Sequence, residues 1–181
     1  SIVTDGNKVY AGGKFSGFSG TGGGVRDKVA AFNLDGTLDP DWKPAVQSWN
    51  GVYSVLAVND MVYIGGDFYG VNGTYISDFA AIDATGALDT DIKPYPSGSW
   101  IEHLEYDGSN IIVSGALWGM GSVYCKNVCA MDPDGTVLDW KPQVNNTVYR
   151  AHAGNGMLHL GGVFSSIDGK TGSSYGEIDL P

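Results

Sequence analysis

Positive charge is scarce in this chain. Lysine and arginine number 10 in 181 residues against 20 acidic residues, a formal net charge of −10. Phosphate backbones are held by clustered Lys and Arg, so this balance excludes nucleic acid as a partner. It also argues against anionic membrane surfaces. No apolar run approaches the roughly 20 residues of a membrane helix, so membrane insertion is not expected. Apolar residues at helical spacing are missing as well, which removes the signal of an amphipathic helix. The 3 histidines and 2 cysteines match no zinc-site spacing, and no Ser-centred elbow motif occurs. The residues therefore nominate no catalytic group, no metal ligand and no cofactor. Cations and neutral ligands such as sugars remain compatible with the charge. The chain opens on Ser1, which fits a mature product, an excised piece or part of something larger.

What is abundant is glycine, 28 residues, with 10 tyrosines. Both point to strands and tight turns. Four segments superimpose: Val9-Tyr10-Ala11-Gly12-Gly13-Lys14-Phe15, Val62-Tyr63-Ile64-Gly65-Gly66-Asp67-Phe68, Ile111-Ile112-Val113-Ser114-Gly115-Ala116-Leu117 and Leu158-His159-Leu160-Gly161-Gly162-Val163-Phe164. Their second glycines stand at 13, 66, 115 and 162, giving spacings of 53, 49 and 47. A second marker follows three of them: Asp41-Trp42-Lys43-Pro44, Asp91-Ile92-Lys93-Pro94 and Asp139-Trp140-Lys141-Pro142. Two markers in one order at one period define a tandem repeat, with copies at about 1–44, 45–94, 95–142 and 143–181.

Each copy reads as four antiparallel strands, here called a to d. In the second copy strand a is expected at about Val52–Val58, b at Met61–Gly66, c at Phe79–Asp83 and d at Leu88–Pro94, with a loop over Tyr69–Ser77. Asp5-Gly6, Asp107-Gly108 and Asn155-Gly156 mark the a–b hairpins, and Asp35-Gly36 and Asp134-Gly135 the c–d hairpins. Four strands in such a period predict an all-β propeller of four four-stranded blades, as one region over 1–181. The glycines Gly12, Gly13, Gly65, Gly66, Gly115, Gly161 and Gly162 are assigned a structural role, close approach of neighbouring backbone and rings. Trp42 and Trp140 are assigned to packing between blades, since Ile92 fills the same place in the second copy. Pro181 aligns with Asp35, so the fourth copy stops before its outer strand. Further sequence or a neighbouring chain is expected to cover that edge.

The order Tyr-x-Gly-Gly-x-Phe, Ala-Ala-x-Asp, Asp-Gly-x-Leu-Asp and Asp-Trp-Lys-Pro resembles delta-60-type propeller repeats, and more distantly kelch blades. The resemblance covers essentially the whole chain. It implies a β-propeller of the kind found in large secreted or surface proteins and brings no chemistry with it. The third copy departs most, with Ser114 for the first Gly, Leu117 for Phe, and both cysteines.

Function is expected in the b–c and d–a connections, which are long and differ between copies, whereas the Asp-Gly turns are short and uniform. These connections hold Phe18, Tyr69, Tyr75, Trp118 and Tyr124, and Trp49, Tyr95 and Trp100. Trp49, Tyr69, Tyr75, Trp100, Trp118 and Tyr124 are the candidate ligand-binding residues; capping of the blade ends is the alternative role. Asn72-Gly73-Thr74 and Asn145-Asn146-Thr147 are glycosylation sequons on the same side, at Asn72 and Asn145. Cys125 and Cys129 stand four apart, roughly 13 Å along a straight strand, so a disulfide requires a bend at Lys126-Asn127. Without one, Cys129 is a small buried thiol like Ala30 and Ala80. The acidic stretches at 33–39 and 132–136 fit turn chemistry better than a calcium loop, which needs a longer ligand series. The resulting expectation is a non-catalytic extracellular or cell-surface module for recognition, adhesion or assembly, with protein partners or self-assembly. A carbohydrate-binding propeller is the alternative. A propeller hydrolase ranks third, because 20 acidic residues leave a converging carboxylate pair open.

Overall fold

The computed structural model describes residues 1–19, 21 and 24–181. Among them the chain is all-β and contains no helix, and its small sheets are antiparallel. Four meanders follow one another. The first joins β1 (Ile2–Thr4), β2 (Lys8–Gly12) and β5 (Val29–Asn33), with a two-stranded hairpin of β3 (Phe18–Ser19) and β4 (Val25–Arg26) before β5. The second joins β6 (Val46–Val58), β7 (Met61–Val71) and β9 (Phe79–Asp83), β8 (Thr74–Tyr75) pairing the far end of β7. The third is β10 (Pro96–Tyr106), β11 (Ile111–Met120) and β12 (Val128–Met131). The fourth is β13 (Val148–Gly154), β14 (Met157–Gly162) and β17 (Tyr175–Asp179), with the hairpin β15 (Ser166–Ile167) and β16 (Lys170–Thr171).

Register repeats with the sequence. Tyr10, Tyr63, Ile112 and His159 stand opposite Ala31, Ala81, Ala130 and Glu177 in their respective sheets. Packing divides the chain into two compact units, Ser1–Asp91 and Ile92–Pro181, each with two meanders. In the first unit Tyr10, Trp42, Val52, Val55, Ile64 and Phe68 share one core. In the second, Ile112, Val128, Val148, Leu158, Leu160 and Phe164 do, with Trp140 packed at its margin.

Two expectations need correction. Among the described residues no outer strand forms after the third strands: the segments there make only single bridges, Phe32–Leu38, Ile82–Leu88 and Met131–Val137. The reason lies in their donors. Pro40 and Pro44 have no N–H to give a ladder. The Asp39 carboxylate takes the amides of Asp41 (2.8 Å) and Trp42 (3.1 Å), and Asp89 takes that of Asp91 (2.8 Å). After its one bridge the segment curls around its own aspartate instead of extending the ladder. Lys8 closes on Asp39 at 2.5 Å, and buried Arg26 donates to the Trp42 carbonyl at 3.2 Å and to the Asp39 carbonyl.

Strands also run further than expected. β7 continues past the Gly pair to Val71 and turns at Asn72-Gly73 (φ +52° and +78°) into β8, so the segment assigned to a loop over Tyr69–Ser77 is largely a hairpin. β6 and β10 start at Val46 and Pro96, well before the expected strand. Bulges permit this extension by absorbing extra residues in one strand. They fall at Ser48/Gly51 in β6, at Gly98/Trp100 in β10 and at Val148/Arg150 in β13.

The paired-glycine motif has a backbone explanation. One residue before each third strand adopts a left-handed conformation: Lys28, Asp78, Asn127 and Ser174, φ +64° to +67°. Its amide donates to the carbonyl of Phe15, Phe68, Leu117 or Phe164, and its carbonyl accepts from the second glycine, Gly13, Gly66, Gly115 or Gly162. The strand bulge then brings a partner backbone against that glycine. A Cβ would fall 2.9 Å from Val52 Cα at Gly66, 3.0 Å from Ile101 Cα at Gly115 and 2.9 Å from Val148 Cα at Gly162. At Gly12 the neighbour is instead the Val52 side chain, 2.7 Å away, while Gly161 meets nothing nearer than 4.0 Å.

Candidate functional site

The bulge in β6 positions the most elaborate exposed cluster. Ser48 pairs Phe68 and Gly51 pairs Asp67, so Trp49 and Asn50 are left without partners in the ladder and swing outward. Gly51 sits at φ +148° with Lys14 Cα 3.2 Å from where a Cβ would be, so the bulge requires glycine there. On β7, Asp67 and Tyr69 share the outward face, while Phe68 between them is fully buried. Trp49 packs on Tyr69 with ring centroids 4.8 Å apart and planes 46° apart, and remains 65% exposed. Asn50 Nδ2 donates to Asp67 Oδ2. Two rings and an amide–carboxylate pair thus lie on one surface.

The other candidates are more dispersed. Tyr75 is 79% exposed on β8. Trp118 is 67% exposed on β11, one residue after buried Leu117, matching Tyr69 after Phe68. Tyr124 is exposed before β12, and Trp100 is half-buried, its Nε1 donating to Glu102 Oε1 at 2.7 Å. Of the six, Trp49 and Tyr69 are the pair in ring contact among the described residues. Five of the six stand on strands rather than in connections, four because β6, β7, β10 and β11 extend so far and Tyr75 because it lies on β8.

Trp42 is fully buried, meets Tyr10 edge-on at 5.1 Å and donates from Nε1 to the Asp83 carbonyl at 3.1 Å. Cys125 and Cys129 form a disulfide, and Asn127 at φ +65° supplies the bend between them. Both sequon amides are built into the fold. Asn72 accepts the Ala45 amide at 2.8 Å and donates to the Gly86 carbonyl at 3.0 Å. Asn145 accepts the amides of Ser165 and Ser166 and donates to Ser165 Oγ at 2.9 Å. A glycan on either nitrogen competes with such a bond. The turn aspartates serve turns: Asp35 and Asp83 each take a threonine amide and hydroxyl, and these bonds hold both carboxyls below the usual range.

Two clusters escaped the sequence reading. His103 and Glu105 alternate on β10, and Arg150 and His152 on β13, and the two strands pack together. Glu105 Oε1 takes both the His152 ring nitrogen (3.0 Å) and the Ala153 amide (3.1 Å). His103 Nδ1 is buried without a partner. Burial first, then Arg150, pushes the His103 pKa below its ordinary value. The only advance signal was the i, i+2 spacing on strands not known to be neighbours.

The second is Asp78, half-buried, whose carboxyl is pushed up to about 7 by burial and by the Asp67 charge, against the Phe68 amide that favours ionisation. A raised carboxyl beside a second carboxylate is the chemistry of a glycosidase acid. Among the described residues its Oδ1 is buried without a partner, and the Phe68 amide bonds the group. In the third meander the equivalent is Asn127, which accepts the Leu117 amide at 3.1 Å and donates to the Val144 carbonyl at 2.8 Å. Asp78→Asn is therefore expected to stabilise the fold at pH 8. A carboxyl whose pKa rises on folding contributes stability below its unfolded value near 4, and that contribution is lost as pH rises through about 7. Discounted for partial exposure, the gain is about 1–2 kcal/mol above pH 7, and it vanishes below about pH 4. Urea midpoints of both proteins at pH 4, 6 and 8 check this.

No family model matches the chain, and no curated protein matches it in sequence.

Proposed function

We propose that the chain is a non-catalytic β-propeller module of an extracellular or cell-surface protein, working by recognition or assembly through the aromatic ends of its meanders. The observation that carries this is the outward display of Trp49, Tyr69, Tyr75 and Trp118 on strands and of Tyr124 in the connection before β12. Rigid aromatics supply contact area at low entropic cost, and bulges are a usual device for aiming side chains. The fourfold meander with matching register supports the propeller architecture, because a single three-stranded sheet cannot bury both faces. The Cys125–Cys129 disulfide supports an oxidising compartment, and the charge of −10 keeps such a surface soluble.

Trp118→Ala and Tyr75→Ala test this, because both rings are exposed and their loss leaves the core intact. Each is expected to keep the far-ultraviolet circular dichroism of the parent while weakening self-association in sedimentation velocity or capture on a glycan array. Association unchanged in both variants, but lost on substitution in the Asp5-Gly6 or Asp107-Gly108 turns, would move function to the opposite end of the sheets.

A further inference from the structure

We infer that the bulged end of β6 and β7 is a binding site for a neutral saccharide, with Trp49 and Tyr69 as the stacking platform and Asn50 and Asp67 as the hydroxyl-binding pair. The inference rests on the recognition reading above and names its ligand class. A hexose with equatorial hydroxyls presents a flat C–H face and a rim of donors and acceptors. Such a ligand needs an aromatic surface for the face and a few placed polar groups for the rim.

The cluster provides both on one side of two strands. The rings contact each other at 4.8 Å, so they form one continuous surface. Asp67 accepts Asn50 through Oδ2, which orients the carboxylate and leaves Oδ1 as an acceptor. Asn50 retains its amide oxygen as a second acceptor and a further N–H. The residues are fixed: Trp49 and Asn50 by the bulge, Asp67 and Tyr69 by alternation around buried Phe68.

Charge selects among occupants. Asp67 and the net charge of −10 repel sulfated, phosphorylated or uronic sugars. A protein partner of ordinary size covers about 800 Å² per side, whereas this cluster is two rings and one polar pair, the scale of one or two sugar residues. The first and fourth meanders carry Ser16 and Ser165 where Tyr69 stands and the third carries Trp118, so an aromatic ring there is not a requirement of the repeat.

The test is isothermal titration and saturation-transfer NMR of the intact chain with cellohexaose, a β-linked glucose oligomer with exposed C–H faces. Saturable binding on the order of millimolar, usual for a shallow open site, is expected. Trp49→Ala and Asp67→Asn should each weaken it about tenfold, while Trp49→Phe keeps most of it. Gly161→Ala, a change in open space on another meander, should bind as the parent does. Absence of saturation transfer at about 10 mM sugar, or undiminished binding by Trp49→Ala, overturns the inference. So does a basic peptide that binds at Asp67 in a salt-sensitive way while the sugar is inert. If sugar binding fails while Trp118→Ala still weakens association, the recognition reading stands and only the ligand class falls. If both fail, the reading itself falls.

Discussion

Gly66→Ala is expected to cost about 3 kcal/mol or more, although it adds a single methyl group. The new Cβ would lie 2.9 Å from Val52 Cα and closer still to the Gly51 carbonyl oxygen. Both obstacles are backbone, held in place by the β6 bulge, so neither can rotate away as a side chain would. Overpacking of a yielding core costs typically 1–3 kcal/mol, and a rigid obstacle places this change at the upper end or beyond. The Gly66 amide also holds the Asp78 carbonyl at 3.0 Å, so a shift of the strand breaks the bridge that sets the third strand. Against a total stability of roughly 5–15 kcal/mol, the loss lowers Tm by on the order of 10 °C for a unit of this size. Gly115→Ala and Gly162→Ala meet the same geometry and should behave alike. Gly161→Ala is the control: its nearest atom is 4.0 Å away, so its Tm should change little. Thermal melts of the four variants decide it. Equal, small shifts would mean that the bulges relax, and that glycine is not needed there for space.

Trp42→Ala is expected to be at least as damaging. The indole is buried between the first and second meanders, edge-on to Tyr10 at 5.1 Å, and Nε1 donates to the Asp83 carbonyl at 3.1 Å. Truncating a buried tryptophan costs about 3–5 kcal/mol, and the orphaned carbonyl adds about 1 kcal/mol. Trp42→Phe should recover most of the packing and lose the hydrogen bond, leaving a deficit nearer 1–2 kcal/mol. Amide hydrogen exchange gives the location: protection should fall in β2, β5, β7 and β9, whose residues share the Trp42 core or its bond. Full protection of those amides in Trp42→Ala would show that the ring fills space without joining the two meanders.

The repeat was legible because it is written twice, in the glycine pairs and in the Asp-x-Lys-Pro segments, and strand pairing follows from alternation alone. Tyr10, Tyr63, Ile112 and His159 could be aligned before any coordinate, and their register matches. The outer strand was misread. Leu88 and its counterparts carry a strand pattern, but Asp39 and Asp89 capture the amides that a ladder would use. Propensity along a chain does not reveal where its donors go. Five of the six candidate aromatics are exposed and Trp100 is half-buried; all were placed in loops, yet five stand on strands, because a bulge lets a strand continue through positions where simple alternation breaks. Trp49-Asn50-Gly51 contained a hint, since a glycine inside a strand pattern often marks a bulge.

The sequence by itself determined the all-β class, the fourfold period and the turn positions, since each depends on local chemistry. Only the tertiary structure decided that Asn50 reaches Asp67, that Glu105 holds His152 across two strands, and that half-buried Asp78 feels the charge of a second carboxylate. Such meetings depend on register between strands and on which faces pack. A bulge of two residues changes both without altering hydrophobicity, period or composition.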